Sequence, residues 1–194
     1  LSDKKDNSTQ YFELWSTGSV TMPNFLRNLS SGNSPAFENS LIESARTDLG
    51  KTGRQLGYTS PWCALWASDK IRANGVSITR AGTPCDLVKN VLNANKGTYY
   101  SFRSANVTSL KQNGLKSTSR IIQTSRSSVT PQKGDVVVFL WAADMGTYNW
   151  SHTGFVQSYS GSTIKTIEGN TSGGIVAEKN RTYDSTVVGI LRIN

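Results

Sequence analysis

The sequence predicts an α+β fold, with helices through its first half packed on an antiparallel β-sheet built from its second. Three observations predict it. Apolar residues recur at helical spacing from Pro35 to Asn95, β-branched and aromatic residues concentrate after Asp135, and turn residues separate the β-rich runs. Helices followed by strands, rather than alternating with them, is the α+β order. The 194 residues, 36% of them hydrophobic, suffice for one globular domain with a core.

The first 35 residues are rich in Ser, Asn, Thr and Gly, with apolar knots at Tyr11, Phe12, Leu14 and Trp15 and at Phe25, Leu26 and Leu29. They read as a lead-in or linker, and residues 36–194 as the domain. Pro35 suits the first position of a helix. Phe37, Leu41, Ala45 and Leu49 then fall four residues apart, an amphipathic helix over 36–49 closed by Gly50. Cys63, Trp66, Ala67, Lys70 and Ile71 place a second helix over 62–74, and a third follows Thr83 and Pro84 over 86–95. Residues 101–130 are polar and loop-like. The turn Pro131-Gln132-Lys133-Gly134 introduces a strand over 135–141, and further strands are expected over 153–159, 163–168, 174–183 and 187–192.

The formal charge of +8 favours anionic partners: nucleic acid, acidic membrane surfaces or an anionic cell wall. Lysines and arginines are scattered, with no basic run, zinc-knuckle spacing or aromatic-basic signature, so no nucleic-acid partner is expected. No apolar run is long enough to span a bilayer, and residues 1–10 are too polar for a signal peptide. A monomer, or one domain of a larger protein, is expected.

The chain has two cysteines, Cys63 and Cys85, and one histidine, His152. That set is too sparse for a disulfide-stapled domain or a structural zinc site. Cys63 falls at the start of a predicted helix, where unpaired N–H groups and the macrodipole favour negative charge and so the thiolate, the reactive form of a thiol. A small buried hydrophobe is the usual fate of a lone cysteine, so position alone does not make it a nucleophile. His152 stands where a strand begins, held rigidly yet near a sheet edge. A base must reach its nucleophile and be oriented by a third group. Glu168 lies sixteen residues on, across the Ser160-Gly161 turn, where adjacent antiparallel strands would bring it beside His152 and let it fix the tautomer. Asn170, two residues further along the same face, is the alternative orienter or an aid to substrate binding. Tyr58, Trp62 and Trp150 flank these positions as candidate substrate-binding aromatics, with core packing as the competing role.

Four segments together resemble the CHAP domains, cysteine- and histidine-dependent amidohydrolases and peptidases of the papain-like group. They are Pro61-Trp62-Cys63-Ala64, the run from Pro131 to Phe139, Ser151-His152-Thr153-Gly154-Phe155-Val156, and Thr166-Ile167-Glu168-Gly169-Asn170. The resemblance spans about 36–194, in the family's order and spacing. It implies a papain-like fold with Cys63 as nucleophile, His152 as base, Glu168 as orienter and Asn170 as accessory polar group. It also implies a thioester acyl-enzyme, with the Cys63 N–H stabilising the oxyanion, and no cofactor. The substrate would be an amide of bacterial peptidoglycan, cut by an N-acetylmuramoyl-L-alanine amidase or a stem or cross-bridge endopeptidase. Such enzymes are secreted or phage-borne: lysins, autolysins or antibacterial effectors. A non-catalytic wall-binding module of the same fold is the alternative. Two departures stand out. Where many relatives carry a second cysteine on the nucleophile helix, this chain has Ser68 and Asp69. Where some hold calcium, the loop before His152 offers only Asp144, so no metal is expected.

Overall fold

The computed structural model describes residues 35–59, 61–141 and 150–194. Contacts divide the chain into Leu1–Gly32 and Asn33–Asn194. The described residues all belong to the second unit, so the expected lead-in, apart from Pro35, lies outside them. The loop containing Asp144 lies outside them too.

Helix α1, Pro35–Arg46, starts on its proline and buries Leu41, Ile42 and Ala45. It stops before Leu49 because its end tightens: the Asp48 and Leu49 N–H groups donate three residues back, to Ala45 and Arg46. Gly50, at a φ of 78°, then turns the chain away. Helix α2, Cys63–Ala73, buries Cys63, Trp66, Ala67 and Ile71 of the expected stripe, with Lys70 half-buried, and adds Ala64 and Ser68. Helix α3, Pro84–Asn93, is capped by Thr83, whose hydroxyl accepts from the Asp86 N–H.

Seven strands form one sheet: β1 Gly97–Ser101, β2 Ile121–Gln123, β3 Val136–Phe139, β4 His152–Ser160, β5 Thr163–Glu168, β6 Ala177–Thr182 and β7 Val187–Ile193. Their spatial order is β2-β1-β7-β3-β4-β5-β6. The strands from 136 onward pair antiparallel, as expected, and β1 with β2 makes the sheet mixed. β2 runs parallel to β1, and a parallel pair needs a crossover, supplied by helix α4, Ala105–Gln112. All the other pairings are antiparallel. α4, β2 and a short 3-10 turn at Arg126–Ser128 lie in the stretch read as loop-like, 101–130, and β1 ends at its first residue.

The central strands have apolar neighbours on both faces, which explains their unbroken hydrophobic runs. Val136 and Val138 face the larger core with α1 to α3, while Val137 and Phe139 join a second cluster with Val187 and Ile190. Trp66 of α2 packs on Phe155 of β4 at 5.3 Å between ring centroids. That contact seats the helix carrying Cys63 on the strand carrying His152. At the start of β3, the buried Asp135 carboxylate accepts from Arg192 Nε at 3.0 Å and from the Gln132 N–H at 2.8 Å. This ties the Pro131–Gly134 turn to β7.

Candidate active site

Cys63 is the first residue of α2, and no side chain caps that helix. The amides of its first turn are therefore left to whatever binds beside the sulfur. No acidic residue sits in the turn to compete with an incoming negative charge. Both cysteine thiols are free. Cys85 is fully buried beside the Asn113 amide, and burial, reinforced by Asp86, pushes its thiol up to about 12, which keeps it protonated.

His152 opens β4, paired in register with Phe139 of β3. Its Nε2 lies 2.9 Å from Glu168 Oε2, and Cys63 is the other side chain whose hydrogen bonding and charge act on the ring. Trp141 stacks on the imidazole at 5.3 Å and Phe139 lies tilted against it at 6.2 Å. Burial alone would lower the His152 pKa. The hydrogen bonds and charge of Cys63 and Glu168 overcome it and raise the imidazole to about 9. Glu168 is fully buried. Burial favours its neutral form, but Arg181, His152 and Thr166 together hold the carboxyl down to about 2.

Glu168 reaches His152 diagonally rather than side by side. Phe155 pairs with Ile167, so one step along the register sets Glu168 opposite Gly154. The missing side chain at Gly154 is what lets Glu168 lie across to the imidazole, because a Cβ there would meet Glu168 Cγ at 2.5 Å. The register carried further sets Asn170 opposite His152, but by then the strand has ended and Asn170 sits in a left-handed bend at a φ of 58°. Glu168 is the group bonded to His152.

The three aromatics divide. Trp62 is 4% exposed, stacked on Tyr58 at 5.3 Å and packed so closely on Gly53 and Gly169 that a Cβ on either would strike its ring. Trp150 is 5% exposed and stacked on Tyr99 at 5.7 Å. Both rings are core elements behind the site. Tyr58 is half-buried, and its hydroxyl donates to Asp69 at 3.0 Å. Sequence reasoning did not single out Gly154, Thr166, Trp141 or Arg181. Arg181 occupies one of the half-buried positions of β6, whose burial alternates along its length.

A nucleophile-type residue at a helix start, facing a histidine at a strand start that a carboxylate holds from the next strand, is the frame of papain-like cysteine hydrolases. The chain belongs to the CHAP domain family, which matches residues 55–170, more than half its length and all four of Cys63, His152, Glu168 and Asn170. That family comprises cysteine amidohydrolases and peptidases acting on peptidoglycan. No curated protein matches the chain. Among solved structures it is similar to a Staphylococcus aureus protein described as similar to a lipoprotein of the NLP/P60 family. The identity is 15% and the TM-score 0.43, over 95% of this chain and 47% of that one. The chain thus spans about half the length of that structure. Among the described residues no helix is long and apolar enough to cross a membrane.

Proposed function

We propose that this chain hydrolyses an amide bond of bacterial peptidoglycan, outside the cell that makes it, with Cys63, His152 and Glu168 as its catalytic set. The observation that supports this most is the bond from His152 to the buried Glu168, on a ring that Cys63 also stabilises in its charged form. With the imidazole raised to about 9, the ring carries its proton at neutral pH. The sulfur then attacks the amide carbonyl carbon. The oxyanion forms against the Cys63 N–H and the uncapped start of α2. His152 donates its proton to the leaving amine as the C–N bond breaks, and a thioester remains on Cys63. Water, deprotonated by the now neutral imidazole, attacks the thioester, releasing the acid and restoring the resting pair. Glu168 keeps the ring oriented and stabilises its charge throughout. The formal charge of +8 suits a polyanionic wall. The bond cut is the muramoyl–alanine amide or a peptide bond of the stem or cross-bridge.

The test compares the wild-type chain and Cys63→Ala on purified cell walls, with fragments read by mass spectrometry. New free amines without new reducing ends are expected from the wild type alone, and their sequence identifies the bond. Walls left intact by the wild type would overturn the reading in favour of a binding module. Equal cleavage by both would remove Cys63 from the chemistry.

A further inference from the structure

Glu168 does not hold its position unaided. Arg181, on edge strand β6 and beyond the segment that the family matches, donates from Nε to Glu168 Oε1 at 2.8 Å and from a terminal nitrogen to Oε2. The same Oε2 faces His152 Nε2, and the Thr166 hydroxyl donates to Oε1. Every direction in which the carboxylate can accept is therefore occupied by a protein donor, and Glu168 is 0% exposed. The guanidinium lies over the rings of Phe139, at 5.5 Å, and Trp141, at 5.7 Å. Those two rings also flank the imidazole. One aromatic pair thus walls both cations, with the carboxylate between them.

We infer that Arg181 is a positioning residue of the catalytic site, fixing the plane of the Glu168 carboxylate against His152 and, through it, the imidazole against Cys63. The inference rests on the Cys63–His152–Glu168 reading. A planar guanidinium fork sets the rotation of a carboxylate, which a point charge does not. A fully buried carboxylate lacking that fork is free to turn toward Thr166 or to take up a proton. Either movement releases the imidazole. Arg181 touches neither nucleophile nor base, so its action passes through Glu168.

The experiment uses the lone histidine as its own probe. His152 gives the only imidazole resonances of the chain, so an NMR pH titration reports the ring and, at acid pH, the protonation of the carboxylate bonded to it. The variants are Arg181→Met and Arg181→Lys, both checked for folding by circular dichroism and Tm. Arg181→Met is expected to raise the acid step by about one pH unit or more and to lower kcat on cell walls about a hundredfold, with KM within about twofold. Arg181→Lys keeps the charge without the fork, so it should restore the acid step more fully than it restores kcat. A folded variant with an unchanged acid step and unchanged kcat would overturn the proposal. Should Arg181→Met fail to fold, Arg181→Lys carries the same comparison. Should the wild type leave walls intact, the proposed activity falls, and the titration still decides whether Arg181 holds Glu168.

Discussion

Replacing Glu168 by glutamine keeps the shape of the side chain and removes the charge that His152 answers. The imidazole stands at about 9 in the fold against an ordinary 6.5, a difference of about 2.5 units. At about 1.4 kcal/mol per pH unit, folding gains about 3–4 kcal/mol from the protonated ring. Because the folded value is the higher one, that contribution is complete below pH 6.5 and is lost as pH rises through 9. Glu168 behaves in the opposite sense. Its folded value of about 2 lies below the ordinary 4.5, so its contribution is present above pH 4.5 and is lost as pH falls through 2. The two contributions share the His152–Glu168 bond and do not add. Cys63 also supports the imidazolium, so Glu168→Gln should lower the ring midpoint by one unit or more, about 1.4 kcal/mol, without returning it fully to 6.5. The assay is urea unfolding of wild type and variant across pH 5 to 10, alongside titration of the single imidazole. Wild-type stability should decline between pH 6.5 and 9, and the variant should decline less steeply over that window. Wall hydrolysis should fall about a hundredfold or more, since the amide leaves the tautomer and orientation of the ring unguarded. Identical slopes and an unmoved midpoint would refute the account of the site, whatever happened to the rate.

Two further substitutions test how the fold presents these groups. Gly154→Ala places a methyl 2.5 Å from Glu168 Cγ and 2.9 Å from the Ile167 carbonyl oxygen. It should cost about 1–3 kcal/mol in urea unfolding and lower the His152 midpoint by displacing Glu168. Asp135→Asn leaves Arg192, 7% exposed, without its charge partner. A loss of about 3–5 kcal/mol is expected, with the imidazole titration of the remaining folded protein unchanged.

The elements legible in the sequence were those whose burial follows a simple period. Helices α1 to α3 have apolar stripes and local punctuation: Pro35 and Gly50 bound the first, and Thr83 with Pro84 start the third. β3 and β7 were legible as apolar runs because both of their faces are covered. α4 was hidden because its buried face includes Asn106 and Ser109. Asn106 is satisfied in its buried place by donating to Ser101 Oγ at 3.0 Å and to the Val188 carbonyl at 2.8 Å, the latter a partner 82 residues away. β1 was hidden for a related reason. Gly97–Ser101 is five residues long, and it pairs with β7 some ninety positions away, where Gly97 meets Ile193. Propensity within a short window carries no trace of that partner.

The candidate site divides along the same physical line. Cys63 was legible from its place at a helix start, and the pairing of His152 with Glu168 from a hairpin whose turn, Ser160 to Gly161, lies midway between them. What the hairpin does not reveal is its register. A turn midway between them would set Glu168 directly opposite His152, whereas the pairing of Phe155 with Ile167 sets it opposite Gly154, so that it comes in on the diagonal. The glycine, usually read as a concession to backbone freedom, is here the space through which a carboxylate reaches an imidazole. Arg181 lies one hairpin further on, where β6 follows β5, and its side chain returns past Thr166 to the same carboxylate. The geometry that orients His152 is therefore spread over β3, β4, β5 and β6. It depends on the registers of three successive strand pairings, none of which any single motif encodes.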